Sequence, residues 1–156
     1  MHDFKDMDFM NVAFNQGAFL TSKDNVMIAS WGMVGVMWRK RVFVMPVRES
    51  RYTKHFIDET KTFTVSVPRQ GEMLDAIRFC GTKSGRDYDK WKECNLEKIP
   101  AKSVDTYVVG GCQKYFECKV IGAVPMADMD LSEVEACYSD KNDVHIFYFG
   151  EIIEEY

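Results

Sequence analysis

Two arginines three residues apart bracket a serine in the string Val47-Arg48-Glu49-Ser50-Arg51-Tyr52-Thr53. Arginine presents a planar fork of N–H donors that matches phosphate oxygens. With Ser50 as N-cap, a helix over Arg51–Glu59 would bring free backbone amides and the positive end of its dipole to the same point. That pattern suits the holding of one compact phosphate, with Arg51 exposed at the helix N-terminus. A second string, Cys80-Gly81-Thr82-Lys83-Ser84-Gly85-Arg86-Asp87-Tyr88-Asp89-Lys90, interleaves glycines with hydroxyls and cations, so that backbone can close tightly on an anion. Its order is not GxxxxGK[ST] and no strand precedes it, which argues against a nucleotide-triphosphatase loop. A third string, Ile28-Ala29-Ser30-Trp31-Gly32-Met33-Val34-Gly35, sets small and hydroxyl residues beside an indole and closes them with glycines. A planar heteroaromatic ring would fit such a slot. The plainer readings are a solvated charged face, a surface loop and a core aromatic.

The elements that must position these strings are mostly strands. Thr62–Val67 alternates, placing Phe63, Val65 and Val67 on one face. Val42–Val47 is a continuous apolar run, as in a strand buried on both faces, and Tyr115–Val124 and Val144–Ile153 read the same way. Gly17–Thr21 and Val26–Ser30 form a hairpin about the turn Ser22–Asn25. Three helices are expected. Arg51–Glu59 pairs Tyr52 with Phe56, and Gly71–Phe79 puts Met73, Leu74 and Ile77 on one side; Arg86–Cys94 pairs Tyr88 with Trp91. Six strands and few helices point to a small closed barrel with peripheral helices. The block Met33, Val34, Val36, Met37 and Trp38 is apolar enough to serve an interface as well as a core.

At 156 residues the chain suits one domain, residues 1–156, with 46% apolar residues and no linker, repeat or low-complexity tract. The net charge of −4 is opposite to that of a general nucleic-acid binder. It hides an asymmetry. Trp38–Lys54 holds six basic residues against Glu49, while Pro125–Tyr156 holds nine acids against Lys141. The longest nearly apolar stretch, Val26–Trp38, is 13 residues, too short to span a bilayer, and Met1–Asp6 lacks the features of a signal peptide. The five cysteines are odd in number with no CxxC, and the three histidines form no HxxxH or HExxH element. No metal site is expected, and a cytoplasmic protein with buried thiols is.

Together these strings resemble the flavin reductase-like family of the FMN-binding split barrel, in its flavoredoxin-type branch. Met27-Ile28-Ala29-Ser30-Trp31-Gly32, the arginine string and Phe79–Lys90 match. Asp143-Val144-His145-Ile146-Phe147-Tyr148-Phe149-Gly150-Glu151-Ile152 is like the family's closing strand. The resemblance covers the chain from about Gly17 onward. It implies a mainly β fold, a six-stranded antiparallel Greek-key split barrel with short peripheral helices, assembled as a homodimer with one FMN per subunit. It further implies that Arg48, Ser50, Arg51, Tyr52 and Thr53 hold the phosphate and ribityl chain, and that Ala29, Ser30 and Trp31 line the ring. Cys80, Gly81, Thr82, Lys83, Ser84, Gly85 and Lys90 close the site. His145 matches a position near substrate in some flavin reductases, without the usual neighbouring glycine.

The function so implied is an FMN flavoprotein oxidoreductase of the NAD(P)H:flavin or ferric-chelate reductase type, moving electrons from NAD(P)H or a redox partner to an acceptor. The alternative is a non-enzymatic electron carrier between protein partners. The ring would do the chemistry, so no catalytic side chain is named. Lys83, Arg86 and adjacent amides are expected to lower the pKa of Cys80 below about 8.5, although a small residue chosen for space explains its place as well.

Overall fold

The β-branched and aromatic runs form nine strands in the computed structural model, which describes residues 7–156; Met1–Asp6, read above for a leader, and His2 lie outside the described residues. The strands are β1 (Ala18–Ser22), β2 (Asn25–Ala29), β3 (Met33–Met37), β4 (Lys40–Arg48), β5 (Thr62–Val67), β6 (Lys98–Pro100), β7 (Tyr107–Val109), β8 (Lys114–Pro125) and β9 (His145–Glu155). The helices are α1 (Phe9–Ala13), α2 (Tyr52–Thr60), α3 (Leu74–Thr82) and α4 (Lys90–Glu93), and two 3-10 turns, Met126–Asp128 and Ser132–Cys137, precede β9.

Seven strands, not the expected six, make one antiparallel sheet in the order β2-β1-β5-β8-β9-β4-β3, and β6 and β7 pair separately. The two strands at its ends, β2 and β3, are consecutive in sequence and joined by Ser30, Trp31 and Gly32 alone. Such a link spans at most about 14 Å, so the sheet must curl until its edges meet. The result is a barrel left split where β2 and β3 are joined by chain rather than by hydrogen bonds. β3 comes from the block read as an interface. Two-residue turns fold both outer hairpins, through Lys23-Asp24 and through Trp38-Arg39, with positive φ at Lys23, Trp38 and Arg39.

The alternation of β1 puts Leu20 among Phe43, Phe63 and Phe116 inside the barrel, and Phe19 outside with Val26, Ile77, Cys80 and Trp91 under α3 and α4. Both faces of β1 are therefore covered. Val42–Val47 is buried on both faces as expected. The second half of β8 is not. It bulges between Val120 and Gly122 and runs beyond Lys119, its last pairing with β5, into partial exposure.

The helices begin later than their periodicity suggests. Left-handed backbone at Gly71 and Met73 delays α3 to Leu74, which is exposed, while Ile77 is buried. Asp89 accepts from Lys92 N and starts α4 at Lys90, so Arg86–Asp89 stays a turn. Tyr88 consequently packs on Phe79, and Trp91 on Tyr107. The Tyr52–Phe56 pair forms as expected, with centroids 4.8 Å apart. Among the described residues no helix is long and apolar enough to cross a membrane.

In β9, Gly150 passes so close to the barrel core that a Cβ would sit 2.5 Å from Phe63 Cζ and 2.9 Å from Cys118 Cβ. Overpacking a core typically costs about 1–3 kcal/mol. Gly150→Ala is expected to lose stability in that range, read as a lower urea midpoint at unchanged slope. An unchanged midpoint would mean that Phe63 yields freely.

Candidate functional site

Because β4 and β5 lie on opposite sides of β8 and β9 in the sheet, the chain between them must cross the barrel end, and α2 makes that crossing. Its N-terminus therefore lands beside the split. α3 packs on β2, and the loop that follows it, Lys83–Asp89, comes to the same place. Two adjoining cavities result, of about 160 Å³ and about 330 Å³, which share Met27, Ser50 and Arg51.

The smaller cavity gathers Tyr52, Thr53, Thr82, Lys83, Ser84, Gly85, Arg86 and Lys90 from three separate elements. Among the described residues Arg51, Lys83, Arg86 and Lys90 have no carboxylate partner within 4.0 Å. Arg51 is half-buried rather than exposed, and its guanidinium donates to the Gly81 carbonyl at 3.1 Å. Burial, and then the charge of Arg48, lowers its pKa. Arg86 stacks over the Tyr52 ring at 4.8 Å. No side chain caps α2, which leaves its first-turn amides at the cavity wall. An anion would answer all of these groups at once.

Ser50 is not the cap. Its backbone N–H and hydroxyl donate to the two carboxylate oxygens of Asp143, at 2.9 and 2.7 Å, and Arg48 lies 3.9 Å from the same carboxylate. The cap position falls to Arg51. Thr53 is buried, and its hydroxyl accepts from Asn25 Nδ2 at 2.7 Å. Asn25 also explains one glycine, since a Cβ on Gly85 would overlap Asn25 Oδ1. Gly81 has ordinary room, because a Cβ there would lie 3.5 Å from Ile28 Cβ, so close approach does not require this glycine.

Lys90 is only 3% exposed. Its ammonium donates to the carbonyls of Val26 and Cys80, at 2.9 and 3.0 Å, fastening β2 to α3 behind the cavity. Burial draws its pKa down to about 8.

The larger cavity is a slot along the end of β2. Ala29, Ser30 and Trp31 form one wall, Pro46 and Arg48 of β4 another, and Gly81 and His145 contribute from either side. Trp31 is 43% exposed, contrary to the core reading, and stands edge-on to His145 with centroids 4.7 Å apart. Gly32 is confined here, because a Cβ would lie 2.8 Å from the Val44 carbonyl. Burial, and then Arg48, pulls the His145 pKa down to about 4, so the imidazole is neutral at neutral pH.

Cys80 lines neither cavity. It is fully buried behind them, its Sγ 4.0 Å from that of Cys94. The expectation of a thiolate is overturned: burial pushes this thiol up to about 12, and the side chains of Lys83 and Arg86 are committed to Tyr88 and Tyr52 instead. Asn25, Met27, Arg86 and Asp143 complete the site without having been singled out for it. Arg86 lay inside a quoted string, whereas Asn25 reaches Thr53 only through the fold.

The family model described as "Flavin reductase like domain" matches residues 15–153. Among solved structures the chain is similar to the flavoredoxin of Desulfovibrio vulgaris (Miyazaki F). It shares 21% identity with that protein and a TM-score of 0.71, over 99% of this chain and 76% of that one. A flavoredoxin from Methanosarcina acetivorans gives 23% and 0.70, over 100% and 75%. An NADH:FAD oxidoreductase of Streptomyces globisporus C-1027, solved with NAD and FAD fragments, gives 15% and 0.67, over 90% and 73%. These likenesses establish the fold. No curated protein matches the chain.

The placement of the cysteines generates a test with a thiol-specific disulfide reagent at pH 8. Cys137 is exposed, Cys94 is half-buried, and Cys80, Cys112 and Cys118 are buried. One thiol is expected to react fast and one slowly, with three reacting only on unfolding. Fast labelling of Cys80, located by mass spectrometry, would contradict its burial.

Proposed function

Since this chain belongs to the flavin reductase like family, we propose that it is an oxidoreductase working through bound FMN. One observation carries the reading. Among the described residues, four cations without carboxylate partners line a cavity of about 160 Å³ that adjoins a slot of about 330 Å³. The residues present fit the group. A phosphate among Arg51, Lys83, Arg86 and Lys90 would supply the negative countercharge that offsets the burial of Arg51 and its repulsion by Arg48, and it would meet the uncapped amides of α2. The smaller cavity suits one compact phosphate, which favours FMN over the pyrophosphate of FAD.

The flavin, when bound, supplies hydride and single-electron chemistry at its ring. The protein's work is to hold and orient. Ala29 and Ser30 would support the ring along the end of β2, with Trp31 at its margin. Lys90 would hold β2 and α3 at fixed separation, so that slot and phosphate cavity keep one spacing. His145, neutral, would face the ring without adding a competing charge. No side chain is required as acid or base, and none is assigned as catalytic. Turnover of NADH or NADPH by the holoprotein would mark a reductase, and reduction by a protein donor alone would mark a carrier.

Affinity and pH test the phosphate site together. FMN is expected to bind at least tenfold more tightly than riboflavin in titration calorimetry at pH 7, since hydrogen bonds to charged groups contribute about 1.5–3 kcal/mol. Lys90 is cationic below its folded pKa of about 8 and neutral above it. The phosphate loses that charge as pH rises, so FMN affinity should fall between pH 7 and 9.5 while riboflavin affinity stays level. Equal binding of the two flavins, or an FMN affinity that rises with pH, would remove the phosphate site.

We also propose a homodimer. β3 is an edge strand whose Met33, Val36 and Met37 are exposed, and Trp38 at its turn is 60% exposed. An edge so apolar needs a cover. Light scattering should return twice the 18.1 kDa of one chain, falling toward one chain in Val36→Lys. A single-chain mass for the unaltered protein would leave β3 uncovered and refute the dimer.

A further inference from the structure

Beyond the flavin slot lies a third and larger cavity, of about 560 Å³, which meets the slot at Trp31, Arg48 and His145. Its volume falls within the roughly 300–1,000 Å³ of small-molecule sites. The outer walls come from the segment between β8 and β9, through Met126, Met129, Leu131 and Val134, and the floor is Phe147 of β9. None of these residues belongs to the phosphate cavity or the slot.

The charged groups at this cavity are already answered. Arg48 lies beside Asp143 at 3.9 Å, and Asp130 Oδ1 accepts from Ser132 N at 3.0 Å. The wall nearest the slot carries one polar pair, Tyr138 Oη and His145 Nδ1, 2.6 Å apart. A phenol and a neutral imidazole own two hydrogens on heteroatoms between them, and their mutual bond uses one. With Nδ1 accepting from the phenol, the donor left over is His145 Nε2; in the other tautomer the phenol hydrogen goes to Met126 Sδ, 3.3 Å away, so His145 Nε2 is the one place for a free donor. The surrounding segment, residues 125–143, has six acids (Asp128, Asp130, Glu133, Glu135, Asp140 and Asp143) against Lys141. A multiply charged anion such as a dinucleotide is repelled there.

We propose that this cavity binds an uncharged, flat aromatic molecule bearing a carbonyl-type oxygen, held edgewise to the flavin slot by the Tyr138–His145 pair. It deepens the flavin reading by naming the class of molecule that would exchange electrons there, and it rests on that reading for its purpose though not for binding. Size and apolar lining select the rings, the single donor selects one oxygen, and the acidic surroundings select against anions. Met126 and Met129 can reshape to rings of differing outline.

The probe is menadione, a neutral naphthoquinone, with naphthoquinone-2-sulfonate as its anionic counterpart. Protein freed of flavin and labelled at methionine methyl carbons is titrated with each and followed by NMR. Menadione should shift the Met126 and Met129 methyls saturably and leave those of Met33 and Met37 on β3 unmoved. The sulfonate should bind at least tenfold more weakly. Met129 and Val134 are each 43% exposed, so Met129→Glu and Val134→Glu should fold. Each should weaken menadione at least tenfold while FMN affinity holds. The proposal is overturned by shifts centred on Met33 and Met37, by equal binding of the sulfonate, or by no saturable binding. Concentration-dependent shifts of Met126 and Met129 without menadione would assign the cavity to a second copy and also overturn it. The labelled methyls decide the matter even if a variant unfolds. Menadione binding without FMN binding would retain this cavity and sink the flavin reading; FMN binding without menadione would do the reverse.

Discussion

Three residues carry the chain from one edge of a seven-stranded sheet to the other, and their shortness bends everything else. Ser30, Trp31 and Gly32 cannot reach across an open sheet, so the sheet must close until β2 and β3 are neighbours. Closure by a link rather than by a hydrogen-bonded ladder leaves a split. Gly32 lies so near the Val44 carbonyl that a side chain would force the edges apart. Two of the residues that close the barrel, Ser30 and Trp31, therefore also line the slot, and Trp31 stays exposed there.

From that split the arrangement of charge follows. α2 must cross the barrel end between β4 and β5, which delivers its N-terminus, Arg48 and Arg51 to the opening. Lys90, buried and bonded to the carbonyls of Val26 and Cys80, anchors α3 and its loop to β2 from behind. Burying an unpaired ammonium or guanidinium is costly unless hydrogen bonds or an anion compensate it. Two carbonyls compensate Lys90 in part, and the Gly81 carbonyl does so for Arg51. The remaining cost would be relieved by an anion, which is the basis of the flavin-phosphate site proposed for this member of the flavin reductase like family.

Much of this was legible in the residues alone. The alternation of Thr62–Val67 is a strand to the residue, because two-residue periodicity separates an apolar from a hydroxyl face and permits a single register, although both faces are buried. The arginine string and the glycine-rich string both reach the site, since each is a short contiguous segment whose residue types already agree on one chemistry. The strand β3 was harder to see. Its five residues are partly or fully exposed, so no alternation marks them as half-buried, and only pairing with β4 makes them a strand.

What the sequence determined by itself was local: strand periodicity, the first hairpin turn at Ser22–Asn25, the clustering of basic residues near Arg48, and the family that these strings resemble. What only the tertiary structure decided was the environment of each group. Ser50 became a partner of Asp143, 93 residues away, and not a helix cap. Cys80 sits among cations in sequence, yet its thiol is held protonated because α3 turns it into the core, where desolvation outweighs the nearby charge. Lys90 ends a polar string and is buried. Sequence neighbours act over a few bonds, whereas burial and the pairing of charge depend on which distant segments arrive at the same place, and that is settled only when the sheet has closed.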